Sequence, residues 1–194
     1  HLWLMPKISA LRMASEATVN FLTADDYRAL DDPSVDFSIR FGQGNFGTHC
    51  ADLLFREHCQ IIAAPNFLDR HPQFDPDAPL ATLDPRLIFD HGDPRDVGWV
   101  TWPVWCGLTG QSPPDHGQIS KIGSYPTMLD LVSAGEGIGI GTMGLEDDLV
   151  ASGAIVRVGT PITRNGFGYY LVYRKELLDK PSFARLRGHL LDQL

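Results

Sequence analysis

Short strand-like runs and short amphipathic helical patterns alternate along the whole of this 194-residue chain, and that alternation confines it to the α/β class. The clearest strand lies where Val35, Phe37, Ile39 and Phe41 alternate with Asp36, Ser38 and Arg40, a period of two that stops at Gly42. Residues 19–22 read as a short buried strand, and 53–64 hold enough apolar residues for a long one, after which Pro65 and Asn66 open a short helix. Further strands are expected at 87–89, 119–122, 138–141, 155–158 and 169–173. Leu4, Ile8 and Leu11 place a helix over residues 5–15, and another lies around 102–108 within a stretch dense in Pro, Gly and Trp. Ser124 and Pro126 read as the cap and first turn of a helix that carries Met128, Leu131 and Val132 on one face and stops at Gly135. A short helix over 145–150 closes at Gly153, and Phe183, Leu186, Leu190, Leu191 and Leu194 form the apolar stripe of a final helix. Strands interleaved with helices in this way predict mainly parallel sheets.

Composition narrows the function. Sixteen Lys and Arg against 24 Asp and Glu give a net charge of −8, which argues against a chain that grips a phosphate backbone by itself. The nearest approach to a basic cluster, Arg185 and Arg187, reads as a solvated helix face. Cys50, Cys59 and Cys106 are an odd number with no C-x-x-C spacing, which suits a reducing compartment, although Cys50 and Cys59 remain able to pair. No apolar run approaches the ~20 residues that span a bilayer. Residues 1–6 have neither a signal-peptide pattern nor an initiator Met, so the chain is expected to be a piece of a longer one. The seven His residues form no H-E-x-x-H or other close metal spacing, and there is no G-x-S-x-G elbow, so neither a metal site, a cofactor nor a catalytic residue is expected. Gly137, Gly139 and Gly141 resemble a phosphate loop but lie inside a strand.

The ordered segments resemble the effector-binding domain of LysR-type transcriptional regulators, in particular the branch containing the glycine-cleavage activator. The resemblance rests on the opening Leu2-Trp3-Leu4-Met5-Pro6, the strand from Val35 through Gly42 followed by Gly44, and Ala64-Pro65 after a long strand. It continues with Trp99 and Trp102 leading to Gly107, the helix-to-strand turn from Leu131 through Gly139, the segment from Asp148 through Gly153, and Tyr169-Tyr170-Leu171-Val172-Tyr173. These pieces cover nearly the whole chain. The family's winged helix-turn-helix and linker helix are not among these residues, and the domain's usual first strand, just before Trp3-Leu4, is expected to be missing from them. The resemblance implies a two-lobed fold like a type 2 periplasmic binding protein, with lobe I at 1–54 plus 166–194, lobe II at 55–165, two chain crossings and a ligand cleft between the lobes.

Six residues become candidates for holding an effector. Thr23 follows the 19–22 strand, where its hydroxyl can hold a carboxylate or simply cap a turn. Arg40 offers a planar fork to a carboxylate, or else an ion pair to Asp36. Gly42 either lets the backbone approach the ligand or serves a turn. Ser124 and Tyr125 head a helix whose free N–H groups favour an anion, with capping as the plain alternative for Ser124. Thr142, with Met143 beside it, follows the 138–141 strand and either lines the cleft or packs. Trp99, Trp102 and Trp105 are expected to pack the second lobe.

The leading expectation is a non-enzymatic, cytoplasmic sensor of a small anionic metabolite, such as an amino acid or an organic acid. It is expected to form a homodimer or homotetramer, to meet DNA only through the absent N-terminal domain and not to engage a membrane. The competing expectation is a periplasmic solute receptor of the same fold class.

Overall fold

The computed structural model describes residues 2–16, 18–22, 32–78, 80–92, 98–114 and 118–192. In chain order its elements are α1 (Ile8–Ser15), β1 (Phe37–Gly42), β2 (Cys50–Ala63), α2 (Pro65–Arg70), β3 (Phe89–Asp90) and α3 (Trp102–Thr109). They continue with β4 (Ser120–Lys121), α4 (Tyr125–Ser133), β5 (Ile138–Thr142), α5 (Asp147–Ala151), β6 (Val156–Tyr173) and α6 (Pro181–Leu191). The chain divides into two compact units, His1–Glu57 with Arg164–Leu194, and His58–Thr163, and it passes from one to the other along β2 and β6.

In the first unit β1 pairs antiparallel with β6, Phe37 opposite Tyr173 and Gly42 opposite Gly168. The period of two sends alternate side chains to one face, where they join a row of rings. Phe41 meets Tyr169 at 5.1 Å, Tyr169 stacks on Phe55 at 4.7 Å, and Phe55 meets Trp3 at 5.4 Å. Helix α6 buries Phe183, Leu186 and Leu190 and packs against α1, whose Leu11 is fully buried. Burial of each such side chain contributes about 1.5–3 kcal/mol.

Of the two arginines of α6, Arg185 is exposed as expected, whereas Arg187 is half-buried in an ion pair. Arg187 donates to both carboxylate oxygens of Asp52 at 2.7 and 2.8 Å and to the Tyr173 hydroxyl at 3.2 Å. Arg185 donates to the Ser15 carbonyl at 3.3 Å and pairs with Glu16 at 3.2 Å. Residues 18–22 also depart from expectation. They form no strand, and Phe21 and Leu22 are exposed. A short segment such as Val19-Asn20-Phe21-Leu22 becomes a strand only where a neighbour satisfies its backbone, and none among the described residues pairs with it.

In the second unit the far half of β2 pairs antiparallel with β5, Cys59 opposite Thr142. The expected parallel pairing holds for β3 with β4 and for a bridge between Ile88 and Ile138. Alternation constrains neighbouring strands joined through a helix, as in β3-α3-β4. It does not constrain β1 and β6, or β2 and β5, which are far apart in the chain and meet antiparallel. Trp102, Trp105, Phe67, Ile61 and Ile138 form the centre of the core, and the Trp102 indole N–H donates to the Phe89 carbonyl at 2.8 Å. These tryptophans pack as expected.

Strand β6 runs unbroken for 18 residues where the sequence predicts separate strands at 155–158 and 169–173. Gly159 and Gly166, which lie between the two predicted strands, adopt left-handed backbone with φ +72° and +86° without ending the strand. The three cysteines are free. Cys50 and Cys59 lie nine residues apart on one strand, roughly 30 Å, so they cannot pair.

Two glycines allow opposite predictions. A methyl at Gly137 would lie 2.9 Å from the Leu87 carbonyl carbon, which belongs to backbone and cannot turn aside, whereas at Gly107, inside α3, it would meet nothing. Urea unfolding should show G137A destabilised by about 2 kcal/mol or more and G107A stabilised by about 0.5–1 kcal/mol.

Candidate functional site

Helix α4 begins where the sequence places it. Pro126 sits in the first turn, and the Ser124 hydroxyl accepts from the Thr127 N–H at 3.3 Å and meets the Thr127 hydroxyl at 2.8 Å. Ser124 and Thr127 are exposed, so the head of the helix presents two hydroxyls on its positive end. Tyr125 turns the other way and is buried. Its hydroxyl accepts from the Thr142 N–H at 2.9 Å and donates to Glu146 at 3.2 Å. The Thr142 hydroxyl lies 3.7 Å from the Cys59 thiol. The structure thus brings Tyr125 and Thr142 together as a buried frame that fixes the start of α4 to the end of β5, and leaves Ser124 at its surface.

Glu146 is the hub of that frame. It is almost fully buried and accepts from Arg157 Nε at 3.1 Å, while Arg157 also pairs with Asp147. Burial pushes the Glu146 carboxyl up, and the Arg157 charge with its hydrogen bonds pulls it back. The glycines of β5 make room for this arrangement. A methyl at Gly141 would lie 3.1 Å from a Glu146 oxygen, and one at Gly139 would run into Met128 of α4. They serve packing inside a strand, not a phosphate.

His91 borders the frame. Its ring meets Tyr125 at 4.8 Å and Trp99 at 5.7 Å, both edge to face. Burial pushes its pKa down to about 4, against a smaller opposing pull from Asp90. The imidazole is therefore neutral at pH 7, and among the described residues its Nε2 has no hydrogen-bond partner. Asp90 itself is buried and pairs with Lys121 at 2.7 Å.

In the first unit Arg40 lies in β1 opposite Tyr170. Asp36, its expected ion-pair partner, pairs instead with Lys180 at 3.5 Å. Four residues along an extended chain is roughly 13 Å, too far for an ion pair. Gly42 is a strand residue, not a turn glycine, and a methyl there would press on the Phe46 ring at 3.1 Å. The turn belongs to Gly44, whose φ is +83°. Thr23 lies outside the described residues.

Sequence reasoning missed Thr127, Glu146, Arg157 and His91. The first was legible as the third residue of a Ser124 capping turn. The other three have no local signal, because what defines them is contact with distant residues. Chemically the arrangement offers two exposed hydroxyls at the start of a helix above a buried hydrogen-bonded frame. The phenol is held by two hydrogen bonds.

The family model described as the LysR substrate binding domain matches residues 1–194. Among solved structures, the chain is similar to the effector domain of the transcriptional regulator AmpR of Pseudomonas aeruginosa, at 19% identity and TM-score 0.74, covering 98% of this chain and 88% of that one. The AmpR effector-binding domain from Citrobacter freundii matches at 21% and 0.75, over 98% and 90%. CrgA, a LysR-type transcriptional regulator from Neisseria meningitidis, matches at 20% and 0.73, over 99% and 64%. No curated protein gave a significant match.

The depressed His91 pKa carries a sign. The unfolded chain takes up a proton near the usual 6.5 and the folded chain only near 4, so stability present at pH 7 is lost as the pH falls through that window. Denaturant unfolding at pH 7 and pH 5 should show a loss of about 2 kcal/mol from this residue. The H91F variant should lack that share of the pH dependence.

Proposed function

The chain belongs to the LysR substrate-binding domain family and has its periplasmic-binding-protein-like α/β fold, and on that premise we propose that it senses a small anionic metabolite and so controls DNA binding by a full-length regulator. The observation that carries the proposal is the head of α4. Ser124 and Thr127 hold two exposed hydroxyls on the positive end of a helix, over the frame of Tyr125, Thr142 and Glu146. Such a head receives a carboxylate through hydroxyl and backbone donors, and the buried frame keeps the donors in place. Arg157 neutralises Glu146, so the buried carboxylate does not repel the anion.

In the first unit, Arg40 is the cation assigned to the ligand, with Gly42 beside it on the same strand face. The order of the sequence segments supports the branch that resembles the glycine-cleavage activator. The two expected lobes are taken to be the two compact units, 1–57 with 164–194, and 58–163. By the same reading the protein works as a homodimer or homotetramer in the cytoplasm, and it has no catalytic step. The relatives described above are regulator domains, which favours this reading over a solute receptor.

The test is thermal unfolding with small carboxylates, among them acetate, succinate, benzoate and the common amino acids, each beside its uncharged amide. At least one acid should raise the melting temperature where its amide does not. S124A should then weaken affinity roughly threefold to tenfold and R40M by more than about tenfold. Amides that bind as well as acids, or an R40M protein that binds unchanged, would overturn the anionic reading.

A further inference from the structure

The chain passes between its two units at only two points, Glu57–His58 in β2 and Thr163–Arg164 in β6, and β2 and β6 are neighbours in the sheet. The four residues at these points are tied across the two strands. Glu57 accepts from Arg164 through both Nε and Nη2, the second bond at 2.8 Å. His58 Nδ1 and the Thr163 hydroxyl share a hydrogen bond of 2.8 Å. The first tie is dry, with side chains 3% and 11% exposed, and the Arg164 guanidinium lies 4.0 Å from the centre of the Phe167 ring. The second tie is exposed.

We propose that Glu57 and Arg164 lock the register of the crossover strands. Side chains alternate between the faces of a strand, so a slip of β2 past β6 by one residue would carry Glu57 or Arg164 to the opposite face. That would leave one buried charge without its partner, an arrangement far costlier than the pair itself. The two-pronged geometry and the ring beneath Arg164 allow one alignment and no other. The lock therefore forbids sliding of β2 past β6. An apolar pair of the same volume would fill the space as well, but it would not select the register.

The inference rests on the crossover alone, so it stands or falls independently of the ligand reading. Its test is amide hydrogen exchange on E57Q and on the double variant E57L/R164M, each alongside urea unfolding. In E57Q, exchange at residues 55–59 and 161–166 should rise tenfold or more while α4 and α6 change less than twofold. In E57L/R164M the urea midpoint should return to that of the parent while exchange at the crossover stays raised, because packing is restored and register selection is not. A double variant whose crossover exchange matches the parent would overturn the proposal and leave the pair as core filling. So would an E57Q protein in which exchange rises equally in α4 and α6. If E57Q does not fold, the double variant decides the matter alone.

Discussion

Strands β2 and β6 each have to serve two cores, and most of what is particular to this chain follows from that constraint. A strand that supports one core can repeat one pattern from end to end. Here β2 carries Leu54 and Phe55 in the first unit and Cys59, Ile61 and Ile62 in the second, with Arg56, Glu57 and His58 where one gives way to the other. Strand β6 does the same with Thr163, Arg164 and Asn165. Polar residues in mid-strand would ordinarily weaken an assignment as a strand. At the changeover they carry the ties that hold the two strands together, and the dry one is stacked on the aromatic row of the first unit.

Within the second unit a different economy applies. A carboxylate is taken out of water at Glu146, which is costly unless every oxygen is matched. Arg157 and the Tyr125 hydroxyl supply the match, and the Thr142 N–H completes the phenol's bonding. The outcome is a hydrogen-bonded base under the start of α4, with the Tyr125 phenol built into it. The exposed hydroxyls of Ser124 and Thr127 are left to meet whatever binds. Under the proposed function this division matters, since donors held in place lose little freedom when a ligand arrives.

Much of the fold was legible along the chain. The alternation from Val35 to Phe41 became β1, Ser124 capped α4, and Gly135 and Gly153 took up left-handed backbone at the ends of their helices. Each of these is decided within a few residues, by side-chain period, by a cap or by a backbone that only glycine adopts freely. The candidate site was legible only in part. Ser124, Tyr125 and Thr142 were placed near one another by reading strand and helix ends, yet two of the three proved to be buried framework. Glu146 and His91 could not be found that way.

What the sequence by itself determined is therefore most of the elements, the α/β class and the family pattern, because local periodicity and turn chemistry act over short distances. The tertiary structure decided the rest. It made one strand of β6 across Gly159 and Gly166, left Phe21 and Leu22 outside any sheet, and turned Arg187 from a surface charge into a partner of Asp52, 135 residues away. It also chose antiparallel pairing for β1 with β6 and for β2 with β5. The physical reason is the same throughout: burial, strand pairing and ion pairing are settled by neighbours in space, and nothing in a local window of sequence says which distant residue will supply them.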